Sequence, residues 1–416
     1  MDQRELLQYQ KLTDIEQALL RSSQYVGSMS PQPHVEKCFD SNTKRIVFKD
    51  VTHPEAAAQL FLEIIANASD NVMNTRLYNE KCKVTGNAPI DPGCIECSLS
   101  NDWCIVKNYG KSIPIALHPI EKIYIPQMVF GFLRTSSNYD DNDEYKASAG
   151  CNGYGSKMTN ILSKQFNVEC ADPFTGLLYK QTWTNNMRTV SAPIITPYSG
   201  IGYTQISYSL DFPRFGIPNF DLQAKEIYMA HCCTIAYTCG VPVFFNGEKI
   251  EVPTLFDYAK LYFNLTKESC ITFTDTEKVY DVVLADTPDQ AILIALVNGI
   301  MIKNGGIHTD EIMTNVVACI KDFFGKSLEG ITLTRRDIVN HVSLFISARL
   351  IAPEFKNQVK DYLSGLRPRT GPNGEKIQRK LPSITIPEKL INNIKKWNLI
   401  LKINEELERK QFNKLK

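Results

Sequence analysis

The residues best suited to chemistry lie in the stretch Glu63-Ile-Ile-Ala-Asn67-Ala-Ser-Asp70-Asn71, where polar side chains recur at i, i+4, i+7 and i+8. In a helix, at about 100° per residue, that spacing lines them along one face and turns Phe61, Ile64, Ile65 and Ala68 toward a core. A carboxylate beside carboxamides can serve as a base toward water and as an oxygen ligand for magnesium, the needs of metal-assisted attack on a phosphate. Taken alone, the same face would also suit simple solvation. A second stretch, Asn108-Tyr-Gly110-Lys-Ser112, sets a carboxamide able to pair with a base edge beside a glycine where backbone can approach a flat ligand. A plain turn would read the same way. A third, Gly150-Cys-Asn152-Gly153-Tyr154-Gly155-Ser156-Lys157, opens an apolar helix containing Met158, Ile161 and Leu162. Glycines at a helix start free backbone amides for phosphate, aided by the dipole and a lysine. The spacing is not that of the P-loop, G-x-x-x-x-G-K-S/T.

An α/β scaffold must hold these stretches. A short helix is predicted at 10–21, with Thr13 as cap and Glu16 completing a capping box, and a second at 54–75. Strand patterns around 95–106 turn at Asn101-Asp102. From 181 to 249 the pattern becomes alternating strands (202–208), an apolar helix (227–238) and a hairpin at 243–249. A new strand and helix cycle follows from about Asp257: strands at 269–274, 280–284 and 291–298, then a helix at 309–324. Residues 387–416 carry an amphipathic helical pattern without Gly or Pro after Pro387. Two domains are expected, 1–257 and 258–416.

Composition narrows the class. The chain has 416 residues, 43% hydrophobic and 22% charged, with a net charge of +1, which argues for folded domains and against a global field toward nucleic acid. The N-terminus lacks the apolar run of a secretory signal, and the greasiest run, 291–297, is too short to span a bilayer. A reducing intracellular compartment, nucleus or cytoplasm, is expected. Twelve cysteines are then read as thiols. Cys94-x-x-Cys97, with Cys82 and Cys104 nearby, has zinc-like spacing, but a hairpin would point residues three apart to opposite faces, which favours strand cysteines. From 356 to 416 there are fifteen Lys/Arg against six Asp/Glu. Within that bias Lys376, Arg379, Lys380, Lys395 and Lys396 are candidates for phosphate contacts with DNA, or form a solvated face.

The order Glu63, Asn67, Asp70-Asn71, then Asn108-x-Gly110, then Gly150-x-Asn-Gly-Tyr-Gly-x-Lys157 resembles the Bergerat nucleotide fold of the GHKL superfamily. The run Leu133-Arg-Thr-Ser-Ser-Asn-Tyr-Asp-Asp141 narrows it to the eukaryotic-type and large-DNA-virus type IIA DNA topoisomerases. Tyr9-Gln-Lys, Leu20-Arg21, Tyr25-Val-Gly-Ser, Gln181-Thr-Trp and Phe245-Asn-Gly support it. The resemblance runs from about Tyr9 to Lys402. It implies a GHKL α/β sandwich followed by a transducer domain of the ribosomal protein S5-like α/β fold with long C-terminal helices, an α/β (α+β) chain. It also implies ATP and Mg2+ as cofactors. Glu63 is then similar to the general base that activates water, and Asn67 to the magnesium ligand. Asn71 and Asn108 would hold the sugar and base region, and Ser136, Ser137 and Asn138 the ribose and phosphate oxygens. Asn152, Gly153, Tyr154, Gly155, Ser156 and Lys157 would wrap the triphosphate. Gln358-Val-Lys360 matches the family's Gln-Thr-Lys loop, whose lysine reaches the γ-phosphate while the glutamine orients nearby groups. Tyr9 matches a strap residue that covers the partner subunit's nucleotide. ATP would join two chains into a homodimeric gate that traps a DNA duplex, and hydrolysis would reset it.

Some positions depart from that pattern. Ser112 stands at a family glycine, Tyr109 at a usual asparagine, and Cys151 and Asn74 at usual arginines, with Arg76 the nearest cation able to take the place of the last. Weaker ATP binding than in close relatives is expected. The stretches that would supply a nucleophilic tyrosine and acidic metal cluster for DNA cleavage are not in the sequence, so a portion of a longer enzyme is expected. Two other readings stand beside this one: another GHKL clamp ATPase of chaperone or mismatch-repair type, and a non-catalytic ATP-binding interaction module.

Overall fold

The computed structural model describes residues 11–133, 154–324, 333–356, 360–371 and 375–415. They form two compact units, the first ending at Glu251 and the second beginning at Val252.

The first unit opens with a short helix, Asp14–Leu20, held by the expected reciprocal cap between Thr13 and Glu16. An antiparallel hairpin follows, β1 (Gln32–Asp40) and β2 (Arg45–His53). The body is a nine-stranded sheet. Its strands are β3 (Ile95–Leu99), β4 (Cys104–Tyr109), β5 (Ser163–Asp172), β6 (Leu177–Thr184), β7 (Thr189–Val190), β8 (Ile194–Pro197), β9 (Tyr203–Leu210), β10 (Val243–Phe245) and β11 (Glu248–Lys249). They run in the order β11-β10-β3-β4-β9-β5-β6-β7, with β8 also on β6. All pairs are antiparallel except β10 on β3. Asn246 and Gly247, both at positive φ, close the β10–β11 hairpin, the geometry an Asn-Gly turn favours.

The helix that carries the polar face spans Glu55–Thr85, ten residues beyond the expected end. No Gly or Pro interrupts it until Gly86, whose left-handed backbone at φ 75 caps it. Its apolar stripe, including Leu60, Phe61, Ile64, Ile65, Ala68 and Val72, is buried. There the Phe61 ring stacks on Tyr228 at 4.2 Å. Tyr228 belongs to a second helix, Leu222–Cys239, and its hydroxyl donates to the Ala57 carbonyl at 2.9 Å, which satisfies a polar atom inside the interface. Asp221 caps that helix through the Ala224 amide, and Gly240 ends it. A short helix of seven residues, Gly155–Ile161, buries Met158 and Ile161.

The second unit is a five-stranded sheet: β12 (Cys270–Thr274), β13 (Tyr280–Asp286), β14 (Leu293–Val297), β15 (Ile300–Ile302) and β16 (Val342–Ala348). The order is β12-β13-β16-β14-β15, with only β14 and β16 parallel. The helices Ile307–Phe324 and Asn398–Leu415 give Ile312, Val316, Ile320, Leu399, Ile403 and Leu407 to the core against Val282, Leu284, Leu344 and Ile346. The Asp286 carboxylate accepts from the amides of Asn398 and Leu399 at 2.6 and 3.0 Å, an anion at the helix N-terminus. A hairpin, β17 (Pro353–Phe355) with β18 (Leu363–Leu366), completes the unit's larger elements. Among the described residues no helix is long and apolar enough to cross a membrane.

Candidate nucleotide site

Glu63, Asn67, Asp70, Asn71 and Asn74 share one face of the Glu55–Thr85 helix, with Asn67 and Asn74 exposed and the other three half-buried. Gln59, one turn earlier, donates its side-chain amide to Glu63 Oε1 at 2.9 Å. The first residue of the Gly155–Ile161 helix abuts this carboxylate. A Cβ placed on Gly155 would lie 2.1 Å from Glu63 Oε2, 2.8 Å from its Cδ and 2.9 Å from its Cβ, so only glycine fits. The Thr159 hydroxyl donates to the Gly155 carbonyl of its own helix at 3.2 Å and lies 3.5 Å from the Leu60 carbonyl of the longer one. Tyr154, just ahead of this turn, has its ring 6.0 Å from that of Tyr25. Ser156 is buried, and Lys157 is only 3% exposed; burial pushes its ammonium down to about 8.

Toward the other end of the polar face, Asn71 and Asn108 converge. Both side-chain amides donate to the Tyr109 carbonyl, at 3.1 and 3.3 Å. Gly110 follows with φ 105, and a Cβ there would meet Thr75 Oγ1 at 2.6 Å. The Thr75 hydroxyl donates to the Asn71 carbonyl at 2.7 Å and accepts from the Lys111 amide at 2.9 Å, which fixes the turn against the helix. Ser112 is buried and donates to Asp172 Oδ1 at 2.8 Å. The same carboxylate accepts from the Phe174 amide and the Thr175 hydroxyl.

Two departures take on a local meaning. Asn108 is buried and Tyr109, its neighbour on β4, points to the opposite sheet face, where Lys107 Nζ lies 4.9 Å from its ring. The substitution at Tyr109 therefore leaves the Asn108 side of the sheet unchanged. Arg76 lies nine residues after Asn67, about half a turn away around the helix. Its guanidinium donates to the Gly240 carbonyl at 2.9 Å, so it serves the end of the Leu222–Cys239 helix and does not replace the arginine missing at Asn74.

Cys97 and Cys104 are buried on β3 and β4, Cys82 is buried near the end of the long helix, and Cys94 is half-buried; all four are free thiols. In the second unit Lys360 lies between β17 and β18 with φ 56. Lys376, Lys380, Lys395 and Lys396 are exposed there, and Arg379 is half-buried. Tyr9, Ser136, Ser137, Asn138, Cys151, Asn152, Gly153 and Gln358 lie outside the described residues.

Sequence reasoning missed Gln59, Thr75 and Asp172. The first two carried a signal, each four residues from a site residue on the same helix. Asp172 carried none, because its partner Ser112 is sixty residues away.

Residues 254–380 match the family model for DNA gyrase B. The chain is 32% identical to the DNA topoisomerase 2 of Invertebrate iridescent virus 6 over 429 aligned residues, covering 98% of this chain and 35% of that protein. It therefore spans about a third of that relative's length. Among solved structures, the ATPase region of Saccharomyces cerevisiae topoisomerase II is 30% identical with a TM-score of 0.81, covering 96% of this chain and 99% of that one. The ATPase and transducer domains of Balamuthia mandrillaris DNA topoisomerase II give 28% and a TM-score of 0.82, covering 99% of this chain and 100% of that one. With near-complete mutual coverage of the yeast ATPase region at that identity, the chain belongs to the type II DNA topoisomerase family and corresponds to its ATPase region.

Proposed function

We propose that this chain binds and hydrolyses ATP, and that it is the ATP-operated gate of a type IIA DNA topoisomerase. The observation that carries the reading is the contact of Glu63 with Gly155. It sets a carboxylate at the head of the helix that follows the glycine-rich run, where a terminal phosphate bound by that run would lie. Glu63 takes a proton from the attacking water, and Gln59 holds the carboxylate in position through its own amide. Asn71 and Asn108 hold the sugar and base region, Ser136, Ser137 and Asn138 the ribose and phosphate oxygens, and 152–157 the triphosphate. Lys157 meets the phosphates with an ammonium that burial has already stripped of water.

The exposed Asn67 carboxamide, beside two carboxylates on one helix face, suits a hard cation and would hold Mg2+. When bound, that ion would neutralise phosphate charge. Lys360 reaches the γ-phosphate, with Gln358 orienting groups beside it, and Tyr9 straps the nucleotide of a second copy. Nucleotide binding thus closes a homodimer over double-stranded DNA, and loss of the γ-phosphate opens it. The basic residues Lys376, Arg379, Lys380, Lys395 and Lys396 contact that duplex without sequence preference.

The test is steady-state ATP hydrolysis, with and without linear duplex DNA, for the wild type beside Glu63→Ala, together with binding of a non-hydrolysable ATP analogue. The expected result is at least a hundredfold loss of turnover with analogue binding kept. Equal rates would remove Glu63 from the reaction.

A further inference from the structure

In the second unit, the segment that follows Lys360 is clamped to the start of the Ile307–Phe324 helix by backbone and side-chain hydrogen bonds. The Asn304 backbone amide donates to the Asp361 carbonyl at 2.8 Å, and its side-chain amide donates to Asp361 Oδ2 at 3.1 Å. Two residues further on, the Leu363 amide donates to the Gly305 carbonyl at 3.0 Å, and Leu363 forms a parallel bridge with Gly306. That approach needs glycine, since a Cβ on Gly306 would lie 2.6 Å from the Leu363 carbonyl oxygen. Between these fastenings the Tyr362 hydroxyl donates to Asp310 Oδ2 at 3.1 Å, while Lys356 Nζ sits 3.8 Å from the centre of the Tyr362 ring. The Thr309 hydroxyl bonds back to Gly306 and fixes the helix start itself. Lys360, immediately before the clamp, is held at φ 56, a left-handed conformation that a side-chain-bearing residue keeps only when its surroundings impose it.

We propose that Asn304 is a positioning residue for Lys360. By gripping Asp361 at both backbone and side chain, it fixes the chain direction on leaving Lys360 and so the reach of the ammonium. The inference rests on the proposed contact of Lys360 with the γ-phosphate. Asn304 touches no nucleotide in this scheme; it acts on turnover through Lys360, while nucleotide affinity resides in the first unit.

The experiment uses the full chain and measures kcat and KM for ATP. Four forms are compared: Asn304→Ala, Lys360→Ala, their double variant, and the exchange pair Asn304→Asp with Asp361→Asn, which rebuilds the side-chain hydrogen bond with donor and acceptor reversed. Losing one such bond is expected to lower kcat about three- to tenfold, with KM changed less than about twofold. In the Lys360→Ala background the same substitution should change nothing further, because the residue being positioned is gone. The exchange pair should recover at least half of the lost kcat, and thermal melting of each form shows that it is folded.

If Lys360→Ala hydrolyses ATP like the wild type, the assigned role of Lys360 fails and the inference goes with it. If Lys360→Ala is impaired but Asn304→Ala is not, or if the two losses multiply in the double variant, the inference alone is overturned. A folded exchange pair no better than Asn304→Ala overturns it too.

Discussion

Gly155→Ala is the sharpest perturbation of the proposed chemistry, because it adds one methyl group at the point where the two helices meet. The new Cβ would stand 2.1 Å from Glu63 Oε2, and ordinary contact begins at 3.4 Å. The oxygen must therefore retreat by more than about 1 Å, a displacement that can cost roughly 100-fold in rate when a reacting group is misplaced. Swinging the carboxylate alone does not relieve the overlap, since Glu63 Cβ would itself be only 2.9 Å away. The helices must part slightly, at about 1–3 kcal/mol of stability. Steady-state ATP hydrolysis across an ATP titration, calorimetry with a non-hydrolysable analogue and thermal melting separate the effects. The expected outcome is a kcat near that of Glu63→Ala, analogue affinity within a few fold of wild type, and a melting temperature lower by several degrees. A Gly155→Ala protein with kcat within threefold of wild type, while Glu63→Ala is inactive, would refute the geometric argument.

Three more outcomes follow from named contacts. The pKa of Lys157 is lowered from 10.5 to about 8 by burial, so the unfolded chain holds a proton that the folded one releases between those values. The cost of burial is full below about pH 8 and fades as pH rises through that window. Lys157→Met should accordingly be more stable than wild type at pH 7 by roughly 1–3 kcal/mol, with the gap narrowing by pH 10 in denaturant titrations and nucleotide binding lost; a pH-independent gap would contradict this. Arg76→Ala should lose about 1 kcal/mol through its bond to Gly240 while ATP turnover stays within twofold, and a large loss of ATP affinity would restore Arg76 to the phosphate site. Ser112→Gly, which brings back the family glycine, should cost about 1–2 kcal/mol in chemical denaturation by removing a donor from buried Asp172; no change in stability would show that bond to be dispensable.

Periodicity made the polar face of the long helix, the capping box at Thr13 and Glu16, and the turns at Asn101-Asp102 and Asn246-Gly247 readable. Each depends on residues a few positions apart. The end of the long helix was missed because nothing between Thr75 and Gly86 stops a helix, and charged residues there conceal the continuing turns. The β1–β2 hairpin was missed as well. Its strands interrupt their apolar residues with Pro33, His34 and Glu36, leave Val35 and Phe48 exposed, and bury Lys37 through a bond to Thr234 that no local pattern announces. In the candidate site, residue types indicated which groups could act. Strand alternation already puts Tyr109 on the far face and helical periodicity turns Arg76 away, but that Glu63 leaves no room for a side chain at Gly155 and that Arg76 bonds to Gly240 follow from packing between distant segments. One sequence does not encode those contacts in any readable spacing.

The parallel pairing of β10 with β3 also sets an order of events as the protein is made. Ile95 and Cys104 lie close enough in sequence for β3 and β4 to pair early, but the strand that pairs with the other edge of β3 is Val243–Phe245, with the Leu99 amide bonded to the side chain of Asn246. At about 5–20 residues per second, a ribosome needs roughly ten to thirty seconds to deliver that strand. During this interval the β3 edge presents unpaired amides and carbonyls to any other chain nearby. A nascent chain stalled before residue 243 should therefore depend on chaperones and aggregate without them, whereas one stalled well past residue 251 should not.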